Sequence, residues 1–477
     1  MSISQALSTA TSGLGAASRQ ASIAGQNIAN ALTPGYSRRE VTLAERALAG
    51  EGAGVRVAGI ARAQAPAVTF ERRGADADAA RDGVKADAAS SIARLLGGPE
   101  DAGALFGKYA AFDRALRALA NTPDSGPAQN AAIGAAATLV AGVNDLAQSY
   151  QTLRANADRE IADKVDAVNA ALKQIENLNS DIASATVAGR DASALLDQRD
   201  RLLDQVNEAI PVRALTRENG RIDLMTNEGV MLLAGTARSI SFTPSPVITA
   251  DMTRANGALS GLSADGVAIS PKSGAVAGLL SVRDDIAPAA AAELDALAED
   301  LIARFSAAGV DPTLAPGAPG LFTDAGGALT PPVAAGLAGR LSLNAAADPA
   351  QGGAAWRLRD GLGAVAPGAI GSNTLLRGLI AQLDQPRANA ISNGRTLTAL
   401  EAAADLSASA GARSASFDAA LQSSEAYAGV LRDAELSVTG VDTDAELQNL
   451  LIIEQSYAAN ARLIEAVQGM IDRLLEI

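Results

Sequence analysis

Both ends of this 477-residue chain carry an unbroken heptad repeat of apolar or small residues, and this feature constrains the fold most. The large members of the N-terminal repeat, with alanines between them, are Ile3, Leu7, Leu14 and Ile28. So narrow a stripe is typical of a helix that packs in a coiled coil. The helix should end near residue 30, because Pro34 and Gly35 then suit the two central positions of a type II turn.

The C-terminal repeat has the same spacing and runs through Leu450, Ile453, Tyr457, Asn460, Ile464, Val467, Ile471 and Leu474. Asn460 is its one polar member, and a buried Asn in such a repeat commonly fixes the register of pairing. Capping boxes formed by Ser2 with Gln5 and by Thr443 with Glu446 predict the starts of the two helices. We expect the helices to pair with each other or with copies of themselves. The twelve residues of the two repeats form a predicted self-assembly seam, here called the terminal seam.

The interior of the chain alternates between helical and strand-like patterns. Apolar residues from Leu139 to Ile175 recur every 3.6 residues on average, which predicts a long, nearly straight helix that breaks near Gly189. A shorter helix follows, and after Pro211 the period changes to two, with Asn219-Gly220 predicting a hairpin. Strand-like sequence continues to residue 282. Helical patterns return at 286–305, 372–384 and 395–436.

This order predicts a mainly α fold with a β-rich middle (α+β) in an elongated molecule. The predicted parts are a terminal coiled-coil domain of residues 1–35 with 441–477, an extended connecting segment 36–75, a long-helix bundle of 76–210 with 372–440, a β-hairpin and strand region plus a helix at 211–305, and a short insertion rich in Pro and Gly at 306–371.

Composition excludes several kinds of chemistry. The chain has neither His nor Cys, so imidazole and thiol catalysis and Cys/His zinc sites are ruled out. Phosphate-loop, dinucleotide and calcium-loop patterns all fail at required positions. We therefore predict no enzyme activity, no cofactor and no metal.

Charge and hydropathy narrow the partners. A net charge of −14 argues against nucleic acid. No apolar run is long enough to insert in a membrane, and the first residues do not form a signal peptide. Residues 1–75 carry eight Arg against four Glu, a local excess of four positive charges. These arginines form either an exposed, solvated face or a surface that meets an acidic partner.

Two terminal motifs carry a family resemblance. Residues Asn27, Ile28, Ala29 and Asn30, followed by Thr33, Pro34, Gly35 and Tyr36, resemble the N-terminal signature of flagellar axial proteins, the family of rod, hook and hook-associated proteins. Residues 454–461 are similar to the C-terminal signature of that family. In the middle, residues 195–203 and 277–280 resemble the hook-associated members, and rod and hook proteins lack long central helices.

The resemblance implies a structural protein that polymerises at the hook tip and joins the hook to the filament, with its terminal helices lining the export channel. The implied partners are further copies in a ring or helical tube, the hook protein, a second junction protein (hook-associated protein 3) and a cytoplasmic export chaperone on the C-terminal helix. The implied location is extracellular, on the flagellum, after type III export without a cleaved signal. The alternatives are another axial component, such as a hook or distal-rod protein, and a secreted helical adhesin or enzyme.

Overall fold

A computed structural model describes residues 3–48, 51–98, 100–388 and 394–475, so Ser2 of the predicted first capping box lies outside it. The chain begins with helix α1 (Ile3–Ala29), strands β1 (Arg39–Leu48) and β2 (Glu51–Arg62), and helices α2 (Pro66–Leu96), α3 (Leu105–Asn121), α4 (Gly126–Val187) and α5 (Ser193–Ala209). The middle contains β3 (Val212–Thr216), β4 (Ile222–Thr226), β5 (Met231–Ala234), β6 (Thr236–Ala237), β7 (Ile240–Ser241), β8 (Leu262–Ala264), β9 (Val267–Ile269), α6 (Ala275–Ser281) and α7 (Ala287–Phe305).

The remaining elements are β10 (Phe322–Asp324), α8 (Leu337–Arg340), β11 (Leu341–Leu343), α9 (Arg357–Asp360), α10 (Thr374–Asp384), β12 (Arg387–Ala388), β13 (Thr396–Leu397), α11 (Ala399–Thr439) and α12 (Thr443–Leu475). Long helices therefore flank small antiparallel sheets, which confirms the predicted fold class. Within the described ranges, no helix is both long and apolar enough to cross a lipid bilayer.

The part of the chain from α2 to α11 is here called the body. Helix α4 is its longest helix, and the 62 residues of α4 contribute to two hydrophobic cores. Its first half packs on α3 and α7 and shares the first core with α10 and the start of α11. There the rings of Phe112, Phe305 and Phe322 meet with centroids 5.0 to 5.8 Å apart. Its second half packs with α5, α6 and the strands β3 to β9. The predicted long helix is confirmed, and it ends just before Gly189, whose φ is +65°.

The sheets of the middle are antiparallel, in the orders β3-β4-β5-β6 and β7-β8-β9. Strands β3 and β4 form the predicted hairpin, with Asn219 and Gly220 at φ values of +57° and +75°. Both values lie in the left-handed region that Asn and Gly tolerate best.

Two expectations about local structure were wrong. Helix α2 begins at Pro66, so residues 66–75 are helical and not extended; Pro is favoured at the first position of a helix. Residues 275–281 form α6 and not a strand, and because residues 275–280 are all buried they show no helical periodicity. The segment 306–371 contributes Leu321, Phe322 and Leu341 to the first core.

Candidate functional site

The two terminal helices lie side by side and run antiparallel. The side chain of Asn27 on α1 donates a hydrogen bond to Glu446 on α12 at 2.8 Å. Farther along the pair, a Cβ added to Gly13 would lie 2.6 Å from Oδ1 of Asn460, so this amide packs directly on the glycine backbone. These contacts are fourteen residues apart on each helix (27 minus 13, and 460 minus 446) and in opposite order, which fixes the direction of pairing.

The terminal seam lies where α1 and α12 contact each other, but this contact covers its side chains only partly. Ile453 and Val467 are buried. The half-buried members are Ile3, Leu7, Leu14, Ile28, Leu450, Asn460, Ile464 and Ile471. Tyr457 is 49% exposed and Leu474 is 61% exposed, although both lie on the repeat. The partner helix α1 offers mainly alanines, which are too small to cover large side chains completely.

A second face of α1 holds the β1–β2 hairpin, and the heptad pattern did not reveal it. Ala16 and Ile23 are buried outside the heptad positions, and α1 contacts both strands. The hydroxyl of Ser12 accepts a hydrogen bond from the Val55 backbone N–H at 3.1 Å. Gly54 has a φ of +100°, and a Cβ there would lie 2.2 Å from Oγ of Ser12. The hairpin can therefore approach α1 this closely only with glycine at position 54.

Asn27 is the polar centre of this arrangement and is 1% exposed. Its Nδ2 donates to the Arg39 carbonyl at 2.9 Å and to the carboxylate of Glu446 at 2.8 Å. Its Oδ1 accepts from the Arg39 backbone N–H at 3.0 Å and from the hydroxyl of Tyr36 at 2.8 Å. Burial raises the pKa of Tyr36, so the phenol stays a hydrogen-bond donor. One amide thus joins α1, the hairpin and α12.

The other signature residues form the turn after α1. Tyr36 donates its backbone N–H to the Thr33 carbonyl at 3.1 Å, and Gly35 has a φ of +73°, which confirms the predicted type II turn. Ala29, Thr33 and Pro34 are exposed, and Asn30 donates its amide to the Gln26 carbonyl. Among the signature side chains described here, two pairs form hydrogen bonds: Tyr36 donates to Asn27 at 2.8 Å, and Thr33 donates to Asn30 at 3.3 Å.

The cap of α12 differs from the prediction. The Asp442 carboxylate accepts from the backbone N–H groups of Asp444 and Ala445, at 2.9 and 3.1 Å, so Asp442 and not Thr443 is the N-cap. Asp is at least as good a cap as Thr, and it lies one residue earlier. Glu446 is consequently released from capping and turns to Asn27.

A buried ionic cluster joins the hairpin and α2 to α5. Its arginine side chains are only 10–13% exposed, and its acidic partners Asp197, Asp200 and Asp204 follow one another at i, i+3 and i+7 on one face of α5. The ion pairs are Arg39–Asp197 at 2.8 Å, Arg62–Asp197 and Arg62–Asp200 at 2.7 Å, Arg72–Asp204 and Arg73–Asp204 at 2.7 Å, and Arg73–Asp200 at 3.3 Å.

This cluster corrects one interpretation of the basic N-terminal segment. An exposed, solvated face is wrong for these four arginines, and the acidic surface that they meet belongs to the same chain. Burial lowers the pKa of the Arg72 guanidinium, but the carboxylates of Asp204 and Glu435 raise it by more. The pKa of Arg72 is therefore above the ordinary value for arginine. The i, i+3, i+7 spacing of the aspartates was visible in the sequence as one acidic face of α5, but it did not show which basic residues that face meets.

Helix α12 exposes a large apolar surface on the sides that α1 does not cover. Eight large apolar side chains of its described residues are at least 41% exposed, namely Leu447, Leu451, Ile452, Tyr457, Leu463, Met470, Leu474 and Leu475. An open groove of about 560 Å³ lies between several of them and Ala17 and Ala21 of α1. Within the described ranges, no group of three or more acidic side chains is arranged to hold a metal ion.

Comparison with known proteins gives two family matches and several relatives. Residues 89–319 match the family described as flagellar hook-associated protein FlgK helical domain, and residues 434–477 match the family described as flagellar basal body rod FlgEFG protein C-terminal. Flagellar hook-associated protein 1 of Salmonella typhimurium is 31% identical over 296 residues, which are 59% of this chain and 52% of that protein.

Flagellar hook-associated protein 1 of Bacillus subtilis is 26% identical over 237 residues, covering 47% of this chain and 46% of that protein. The chain spans about half the length of the curated relatives it matches. The solved structure of the flagellar hook junction protein FlgK from Burkholderia pseudomallei has a TM-score of 0.44 and 21% identity, over 53% of this chain and 46% of that one. That structural likeness is too limited to support an argument.

Proposed function

We propose that the chain is a member of the flagellar axial protein family with a helical domain of the hook-associated type, and that it is a structural subunit that polymerises at the hook tip and joins the hook to the filament. Two separate parts of the chain support this proposal. The match at residues 89–319 favours the hook-associated branch, and the match at 434–477 falls on the helix that carries the C-terminal half of the terminal seam.

The observation that carries the proposal is the exposed apolar surface of α12. Extensive exposed apolar surface generally marks an interaction site. Fully burying a large apolar side chain contributes about 1.5–3 kcal/mol, so eight that are roughly half exposed would contribute on the order of 6–12 kcal/mol per subunit. Association itself costs roughly 4–15 kcal/mol. The free energy gained by burying these side chains is comparable to the free-energy cost of association, so assembly would need a template such as the hook tip.

The proposed partners follow from this role. They are further copies of the chain in a ring or helical tube, the hook protein below, and a second junction protein (hook-associated protein 3) above. A cytoplasmic chaperone that covers the exposed face of α12 before export would prevent premature aggregation. We propose an extracellular, flagellar location reached by type III export. The chain would act without catalysis, since it has no His and no Cys for such chemistry.

The second candidate is another axial component, a hook or distal-rod protein, because the C-terminal match is to the rod family. Electron microscopy of a strain of the source bacterium lacking this chain separates the two candidates. The proposal predicts hooks of normal length without filaments, with filament subunits lost to the medium, and restoration by the intact gene. A strain without hooks would favour the second candidate. Normal flagella would contradict both.

A further inference from the structure

The part of the chain formed by α1, the β1–β2 hairpin and α12, here called the terminal module, connects to the body through two short crossings. One lies between Arg62 and Pro66 and the other between Thr439 and Thr443. They lie side by side, because the Arg38 backbone N–H donates to the Thr439 carbonyl and the Ala63 N–H donates to the Arg38 carbonyl, both at 2.8 Å. Two crossings this close together form a hinge. By themselves they would allow the terminal module to rotate relative to the body.

The ionic cluster supplies attachment to a further element, α5, directly beside these crossings. Arg39 and Arg62 are opposite each other at the base of the hairpin, and both reach Asp197 of α5. Asp197 is buried. Helix α5 belongs to the body, since it packs on α4 and its Leu203 lies in the second core. The base of the hairpin is therefore tied to α5 by charge pairs, in addition to its chain connection to α2.

Two further contacts extend this attachment. Arg72 and Arg73, on the first turns of α2, converge on Asp204, so the helix that follows the first crossing is tied to α5 as well. The turn after α1 rests on the same helix, because a Cβ at Gly35 would lie 2.7 Å from Cγ of Arg201. The contacts named here between the turn, the hairpin base and α5 are thus polar or lie on an arginine stem.

We propose that this arginine–aspartate cluster is an orientation clamp, which holds the terminal module at one fixed angle to the body in the free chain. Because ion pairs join the terminal module to the body, removing these pairs should let the angle between the two parts vary while both parts stay folded. The body keeps its two hydrophobic cores, and the α1–α12 pair keeps its own contacts. The clamp goes beyond the proposed function, and its test uses the isolated chain, so the two can fail separately.

Distance measurement between two spin labels tests the clamp. The chain has no cysteine, so Arg19→Cys on α1 and Glu160→Cys on α4, both exposed, would be the two labelled sites. Double electron–electron resonance on the full-length chain should give one narrow distance distribution. Asp197→Asn with Asp200→Asn should at least double its width, because these two carboxylates pair with the arginines at the base of the hairpin. Arg39→Gln with Arg62→Gln should do the same from the other side of the cluster.

Asp113→Asn is the matched control, because it breaks the ion pair with Arg117 on α3, remote in sequence from the cluster. It should leave the distribution narrow. The clamp is overturned if both double variants keep the narrow distribution with native circular dichroism. It is also overturned if both lose their helical circular dichroism, because the cluster would then support the fold of the body and not its orientation to the terminal module.

Discussion

Replacing Asn27 with alanine should separate the terminal helices while the body stays folded. The change removes four hydrogen bonds from a site that is 1% exposed, and it leaves the carboxylate of Glu446 without its amide partner. Three bonds between neutral groups contribute about 1 kcal/mol each, and the bond to a carboxylate contributes about 2 kcal/mol. Water that enters the opened site recovers part of this. We expect a loss of about 3–5 kcal/mol in the stability of the module.

Amide hydrogen exchange by mass spectrometry measures this loss peptide by peptide. Peptides from α1, the β1–β2 hairpin and α12 should lose protection, and those from α4 should keep it. Asn30→Ala is the matched control, since the same side chain there makes only local contacts, to Gln26 and Thr33, at the exposed end of α1. Equal protection in the two variants would refute the role of Asn27 as the centre of the module.

Three further substitutions test separate parts of the account. Leu451→Glu, at a 59% exposed site, should change the unfolding free energy of the free chain by less than about 0.5 kcal/mol but abolish filament growth, measured in a motility assay. Gln455→Glu adds the same charge to α12 and should leave filament growth intact. Ile464→Asp, at a half-buried site facing α1, should weaken the helix pair by about 1–3 kcal/mol and prevent assembly, and unchanged exchange protection of α1 would contradict this. Gly54→Ala should cost about 1–3 kcal/mol and expose the hairpin amides, whereas Gly59→Ala, with nothing within 4 Å, should leave them protected.

Periodic features of the fold were predictable because each depends on nearby residues. The long helix α4, the hairpin at Asn219-Gly220 and the turn at Pro34-Gly35 follow from spacing and backbone preference alone. The prediction was wrong where two neighbouring residues both suited the same structural role. Asp442 and Thr443 both suit an N-cap, and the choice released Glu446 for a contact with Asn27, more than 400 residues away in the chain.

Long-range pairing could not be predicted from these local patterns. The arginines of residues 39–73 and the aspartates of α5 are each visible in the sequence, but only the fold brings them together. The same holds for the second face of α1, where Ala16 and Ile23 lie outside the heptad and yet are buried. The roles of the terminal seam residues in assembly, and the division into domains, stay predictions.

The most direct measurement for the central claim is immunogold labelling of isolated hook–filament complexes from the source bacterium, with an antibody against the body of this chain. If the chain is the junction subunit, gold should form one narrow band between the end of the hook and the start of the filament. Label along the whole hook, on the rod, or nowhere on the complex would contradict the account.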